Sequence, residues 1–299
     1  MPTLGELLAT TRHRLLGVGS YTERVSQLAE DIEEGTLSFR LDEVVGQGRE
    51  VVEIGLEKIR LRRADSGNST VTAYDFGRGY DGTLQSSHSV GDEVTWSPQI
   101  PNFTIVKEIN HLLESMYPLL YGVDSLDTVY AHSAETPFVL PDEAVDVVAV
   151  FRETRGAHGW ERVDSWRFEP DSGQGMIIDA SSGTNVRVVY AKRIGTFDLT
   201  DPGVLEVDFE NATGLEGRVA HLIPSGVASR LASFYDFGKL GSTGMETRAD
   251  GAGKALGAGI QVANRLYQEY QVALEQEAQV LHKQHPIRLH REKVVYRRW

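Results

Sequence analysis

The stretch VVEIGLEKIRLRR, residues 51–63, carries apolar side chains at Val51, Val52, Ile54, Leu56, Ile59 and Leu61 with charged residues between them. A period near 2 belongs to a strand with one buried face. The alternation through Leu56, Ile59 and Leu61 is imperfect, so a bulge or register change is expected there. The runs LSFRLDEVV from residue 37, STVTAY from residue 69 and DEVTW from residue 92 are also β-rich. Gly46-Gln47-Gly48, Asp65-Ser66-Gly67-Asn68 and Asp81-Gly82 separate them with turn chemistry. Residues 36–101 therefore read as a small antiparallel β-barrel or sandwich, closed by Pro98 and Pro101.

Outward from this module the period lengthens to that of helices. Residues 1–35 read as two N-terminal helices. One carries Leu4, Leu7, Leu8, Leu15 and Leu16; the other, over 21–34, carries Val25, Leu28 and Ile32 and stops at Gly35. Residues 102–123 predict a helix with a stripe of Ile105, Ile109, Leu112, Leu113 and Met116, Asn102 as its N-cap, and Pro118 ending or kinking it. Residues 124–213 predict a second β-sandwich unit of six short strands, the last being VLEVDF at 204–209. Residues 214–285 return to helices, with a break at Pro224, a glycine-rich loop at 238–253 and a long helix over 254–284. The fold class expected is α+β, helices framing two β units, with a basic segment at 286–299.

Composition narrows the chemistry. The 299 residues include no cysteine, so disulfides, thiolate catalysis, Cys-zinc sites and iron–sulfur clusters are excluded. No apolar run approaches the roughly 20 residues that span a bilayer, and the amphipathic N-terminus, interrupted by Glu6, does not resemble a secretory leader, so no membrane partner is expected. A net charge of −13 argues against a general nucleic-acid surface, which needs clustered Lys and Arg. From His282 onward, however, six basic residues face Glu292 alone, a net of +5, which leaves −18 on the rest. A basic segment on an acidic body calls for an acidic neighbour.

Motifs for catalysis are missing. Gly251-Ala252-Gly253-Lys254-Ala255 falls short of a phosphate loop, because Arg248 stands where a glycine is needed and Ala255 where Ser or Thr is needed. His282, His285 and His290 sit among basic residues, which disfavours a metal; His88 and His111 have no triad partner near in sequence. Carboxylates are too abundant for a pair to mean anything by itself. Trp160 and Trp166 are the best candidates for a carbohydrate groove, with core or interface packing the plainer account. The chain is therefore expected not to be an enzyme and to need no cofactor or metal.

One segment is more specific. Arg78-Gly79-Tyr80-Asp81-Gly82-Thr83 is followed by His88, Gly91-Asp92 and Val94. Read physically, Asp81-Gly82 turns tightly, Thr83 and His88 flank a short loop, and His88 has a structural role, bonding Thr83 or backbone. The pattern R-G-x-x-G-T, then histidine, then G-D-x-V, resembles a β module of tailed-phage neck and tail proteins. The helix that follows, ending in Tyr117-Pro118-Leu119-Leu120-Tyr121, is similar to the segment after that module in actinophage-type virion proteins. The resemblance covers about residues 50–123 and extends more loosely to the C-terminal helix.

What the resemblance implies is a virion protein of the neck, assembled in the host cytoplasm, in the head-to-tail connector or adaptor below the portal. Its motif residues are Arg78, Gly79, Gly82, Thr83, His88 and Gly91. The partners implied are a homo-oligomeric ring, a dodecamer by the same resemblance, the portal protein, and the next neck or tail protein. Genomic DNA would only pass through the lumen, eased by an acidic wall. Docking onto the portal or a neighbour falls to Arg288, Arg291, Lys293, Tyr296, Arg297, Arg298 and Trp299, with Val294-Val295-Tyr296 able to add a strand. Two other classes remain: a tail-tip or baseplate structural protein, and a glycan-binding or glycan-hydrolysing virion protein.

Overall fold

The computed structural model describes residues 1–16, 23–130, 138–154, 159–169, 175–178, 183–234 and 252–287. Helices and antiparallel sheets alternate, as an α+β fold requires, and the chain divides into two compact units. The first comprises 1–112, 197–208 and 220–270; the second comprises 113–196, 209–219 and 271–299.

In the first unit, α1 (Leu4–Leu16) precedes six strands: β1 (Arg24–Gln27), β2 (Ser38–Arg40), β3 (Val51–Ile54), β4 (Glu57–Asp65), β5 (Thr70–Ala73) and β6 (Glu93–Trp96). They form one antiparallel sheet in the order β1-β6-β3-β4-β5-β2. The sheet curls as a half-barrel, and an isolated antiparallel bridge joins Leu28, after β1, to Leu41, after β2. Val52, Ile54, Ile59, Leu61, Val71, Val94 and Trp96 alternate inward and fill the core. The stretch that reads as one irregular strand is a hairpin: β3 and β4 pair from Val51–Arg60 to Ile54–Glu57 around Gly55-Leu56, with Gly55 at φ 59°. The expected register change lies at the end of the same stretch, between Leu61 and Arg63 where β4 meets β5.

The second N-terminal helix is not formed. Residues 24–27 are β1, paired with β6 from Arg24–Trp96 to Gln27–Glu93. Leu28 and Ile32 are buried, as their spacing requires, but four residues is also an even step along extended chain, so both patterns fit. Ser26 decides the matter. It points inward, and its Oγ accepts the Trp96 indole N–H at 2.9 Å, while Val25 is exposed.

Trp96 is fully buried, and the chain at Gly46 passes directly over its ring: a Cβ there would lie 2.1 Å from the indole. The ring cannot move aside in a filled core. Gly46→Ala is therefore expected to lower stability by about 1–3 kcal/mol, read as a fall in the urea midpoint with unchanged slope.

α2 (Asn102–Met116) stops before Pro118. Its apolar stripe is buried, but Asn102 is not the cap expected of it. The Asn102 amide donates to Gly55 O at 3.0 Å, and its Oδ1 accepts from Arg12 at 2.6 Å. Asn110 then grips the backbone of Phe197, with its amide donating at 2.8 Å and its Oδ1 accepting at 2.9 Å. This clamp, with the Leu4 amide on Val207 O and the Thr3–Asp208 bridge, fixes the 197–208 segment to the first unit.

That segment contains most of the strand expected from VLEVDF, which does not form. Asp201 Oδ1 accepts the Gly203 amide at 2.8 Å, and this local turn leads into a 3₁₀ turn at Val204–Glu206. Phe209 opens a short helix, α3 (Phe209–Thr213), in the second unit. Pro224 does not break a helix either. It stands in the first turn of α4 (Leu222–Phe234), where a missing N–H costs nothing, and a 3₁₀ turn at Gly217–His221 leads into it. α5 (Ala252–Gln284) matches the long helix predicted. The glycine-rich loop at 238–253 lies outside the described residues apart from its last two positions.

Among the described residues the second unit holds seven strands rather than five plus VLEVDF: β7 (Gly122–Tyr130), β8 (Phe138–Val139), β9 (Ala144–Glu153), β10 (Trp160–Val163), β11 (Trp166–Glu169), β12 (Gly175–Ile178) and β13 (Thr184–Lys192). They form a four-stranded sheet, β10-β9-β13-β7, and a three-stranded sheet, β11-β12-β8. Val147, Val150, Val186 and Val188 of the larger sheet share one core with Phe168 of the smaller.

Candidate functional site

Glu57 is the first residue of β4, and its side chain is 0% exposed. A carboxylate in that position must be saturated with donors. Arg78 supplies a bidentate pair, Nε to Oε1 at 2.6 Å and Nη2 to Oε2 at 2.9 Å. The amides of Gly79 and Ser86 add 3.0 and 3.2 Å bonds, and His88 Nε2 lies 2.8 Å from Oε2. Burial raises the Glu57 pKa, but the bonds from His88 and Arg78 outweigh it and hold the carboxyl down at about 2. An ionised Glu57 only accepts, so His88 Nε2 carries the proton of that bond.

Arg78 is equally enclosed. Its remaining donors go to the carbonyls of Glu33 at 3.2 Å, Thr36 at 2.9 Å and Ser86 at 2.6 Å. One guanidinium therefore ties the 33–36 turn and the 78–86 loop to β4. His88 extends the tie through a two-way backbone bridge with Ile32, both bonds being 2.9 Å.

The structure brings the motif residues together around this pair. Gly79, at φ 61°, turns its amide onto Glu57, and a Cβ there would lie 2.9 Å from Thr83 O. Asp81 and Gly82 have φ of 59° and 78°. Thr83 Oγ1 donates to Tyr80 O at 3.0 Å and accepts the Lys58 amide at 3.0 Å. Gly91, at φ 90°, donates its amide to Leu28 O at 2.8 Å. His88 thus bonds Glu57 and not Thr83. The polar atoms are spent on one another and on backbone, which is the chemistry of a pin that closes a loop. Glu57 itself was not singled out by the sequence reading. The available signal was indirect: an arginine that starts a glycine-turn motif beside a β-sheet needs a carboxylate if it is to be buried.

Beside the pin lies a cavity of about 400 Å³. Its walls are the outer face of β3 and β6, the first turn of α2 and the 199–206 segment. Among the described residues the lining includes Glu53, Glu57, Asp92, Glu93, Asp201 and Glu206, with no lysine or arginine. Glu53 alternates with the inward Val52 and Ile54, so it faces this side, cross-strand from Thr95. It is 1% exposed, and no hydrogen bond of ordinary geometry reaches either carboxylate oxygen. Burial pushes its pKa up to about 7, against the pull of Arg12, the Asn102 and Phe103 amides, and Lys58. Both cations are engaged elsewhere: Arg12 with Glu23 at 2.5 Å, Lys58 with Asp81 at 2.7 Å.

The other candidates lie apart from this site. Arg288, Arg291, Lys293, Tyr296, Arg297, Arg298 and Trp299 are outside the described residues. Trp160 is 40% exposed, but Arg187 stands 4.6 Å above its ring, and Trp166 packs on the second unit's core. In that unit His282 stacks on Tyr121 at 5.7 Å, and the Tyr121 hydroxyl donates to the His285 carbonyl. Among the described residues no group of three His, Asp or Glu could hold a metal ion, and no helix is long and apolar enough to cross a membrane. No protein-family model matches the chain, and no curated protein matches its sequence.

Proposed function

We propose that this chain is a structural subunit of the neck of a tailed-phage particle, an adaptor in the head-to-tail connector. The observation that carries the reading is the pin. Arg78, Gly79, Gly82, Thr83, His88 and Gly91, the residues of the resemblance, each have a defined place in one loop closure. A motif whose polar side chains hold a loop shut suits a building block better than a catalyst.

Charge supports the same reading. An acidic body suits a ring whose lumen lets DNA phosphates slide, and the basic C-terminal segment suits a contact with the portal or a neighbour. Subunits around an axis join by heterologous contacts, one patch meeting a different patch on the next copy. The ring order expected from the resemblance is twelve. Host attachment at a tail tip would favour an exposed tryptophan in the second unit; Trp160 is 40% exposed with Arg187 4.6 Å from its ring centroid, and Trp166 packs on that unit's core.

Electron microscopy of the virion, with the chain located by a tag, tests the proposal. Density in a ring between portal and tail is expected. Density at the tail tip, or a chain missing from the particle, would overturn it.

A further inference from the structure

We propose that the acidic cavity of the first unit binds an arginine side chain, delivered by the basic C-terminal segment of a second copy of the chain. The second-copy part rests on the ring reading above; the cation site stands on the cavity alone.

Three features point to a cationic guest. Among the described residues five carboxylates besides the paired Glu57 line the space, and no lysine or arginine does. Glu53 is almost wholly buried in its wall, and no hydrogen bond of ordinary geometry reaches its carboxylate, which the Asn102 and Phe103 amides of α2 compensate only in part. The nearest cations, Arg12 of α1 and Lys58 of β4, are already bound to Glu23 and Asp81. The guest is not a single metal ion, because no three candidate ligands among the described residues could share one. Carboxylates spread around about 400 Å³ suit a planar guanidinium, which presents five N–H donors in fixed directions.

The source follows from charge. The body carries −18, while residues from His282 onward carry +5 and include Arg288, Arg291, Arg297 and Arg298. A guest of this kind favours ionised Glu53, so binding expels the proton that burial holds there. The charged and titratable groups facing Glu53 are Arg12 from α1, Lys58 from β4, and the cavity's own Glu57, His88, Asp92, Glu93, Asp201 and Glu206.

The test titrates a synthetic peptide of residues 286–299 into the full-length chain by calorimetry, at pH 6 and pH 8. Affinity is expected to rise about tenfold between the two, as Glu53 ionises through about 7. Glu53→Gln is expected to remove that rise and to weaken binding at pH 8 at least tenfold. Glu206→Gln, at an exposed lining position with little risk to folding, is expected to weaken binding as well. A peptide with citrulline in place of its arginines is expected not to bind. Equal binding by Glu53→Gln or by the citrulline peptide, or no binding at all, would overturn the site. Sedimentation of the full-length chain tests the second copy: association that Glu53→Gln weakens supports it, and a monomer at every concentration overturns it. Association through Glu53 in a chain found away from the neck would sink the connector reading and leave this contact standing.

Discussion

Arg78→Ala is expected to destabilise the first unit by about 3–5 kcal/mol, the scale of breaking a buried pair from one side. The loss is read from urea dependence of hydrogen exchange at the amides of β3, β4 and β6, which keeps the first unit's unfolding distinct from the second's. The size follows from what is left behind. Glu57, 0% exposed, loses its bidentate partner and keeps only His88 and two amides. The carbonyls of Glu33, Thr36 and Ser86 lose a donor together. Removing both charges with Arg78→Met and Glu57→Leu is expected to cost less than the two single changes added, since no uncompensated ion remains. Additive losses would mean that the two residues act separately. The pair also sets an acid limit. Glu57 is depressed to about 2 from an ordinary 4.5, so its stabilisation is complete above 4.5 and is lost as pH falls toward 2.

The half-barrel was legible in the chain because inward positions repeat every second residue: Val52, Ile54, Ile59, Leu61 and Val94 carry the signal themselves. β1 was not legible, because Leu28 and Ile32 are four apart and satisfy a helix as well as a strand. Only a distant partner, the Trp96 indole on Ser26, separates the two cases. VLEVDF has strand-like composition, yet the Asp201-Pro202-Gly203 turn before it and the grip of Thr3 and Leu4 on Val207 and Asp208 shape it otherwise. The motif from Arg78 to Gly91 could be recognised as a loop closure from its glycines. Its centre could not, because Glu57 is 21 residues from Arg78 and 31 from His88. Glu53 was hidden for a related reason. A glutamate between Val52 and Ile54 reads as the solvent face of a strand, until α2 and the 199–206 segment cover that face.

Glu53→Gln is expected to stabilise the first unit at pH 8 by about 2–3 kcal/mol and to change little at pH 4. Burial raises the Glu53 pKa to about 7 from an ordinary 4.5. Between those values the folded chain holds a proton that the unfolded chain has released. Stability therefore falls as pH rises from 4.5 to about 7, and the penalty stays constant above that. The interval corresponds to roughly 3 kcal/mol. Glutamine keeps the shape without the charge, so the variant should show a flat profile across the window in which the parent declines. A gain of the same size at pH 4 would mean that packing, and not charge, is responsible. A buried carboxylate that the Asn102 and Phe103 amides, Arg12 and Lys58 compensate only in part costs the fold more than a neutral amide of the same size would. It is explained if the charge is balanced when a guanidinium enters the cavity. Glu53→Gln thus separates the two roles: stability is expected to rise at pH 8 in the same variant that loses the arginine peptide. A variant that loses both would instead show Glu53 to be an ordinary structural residue.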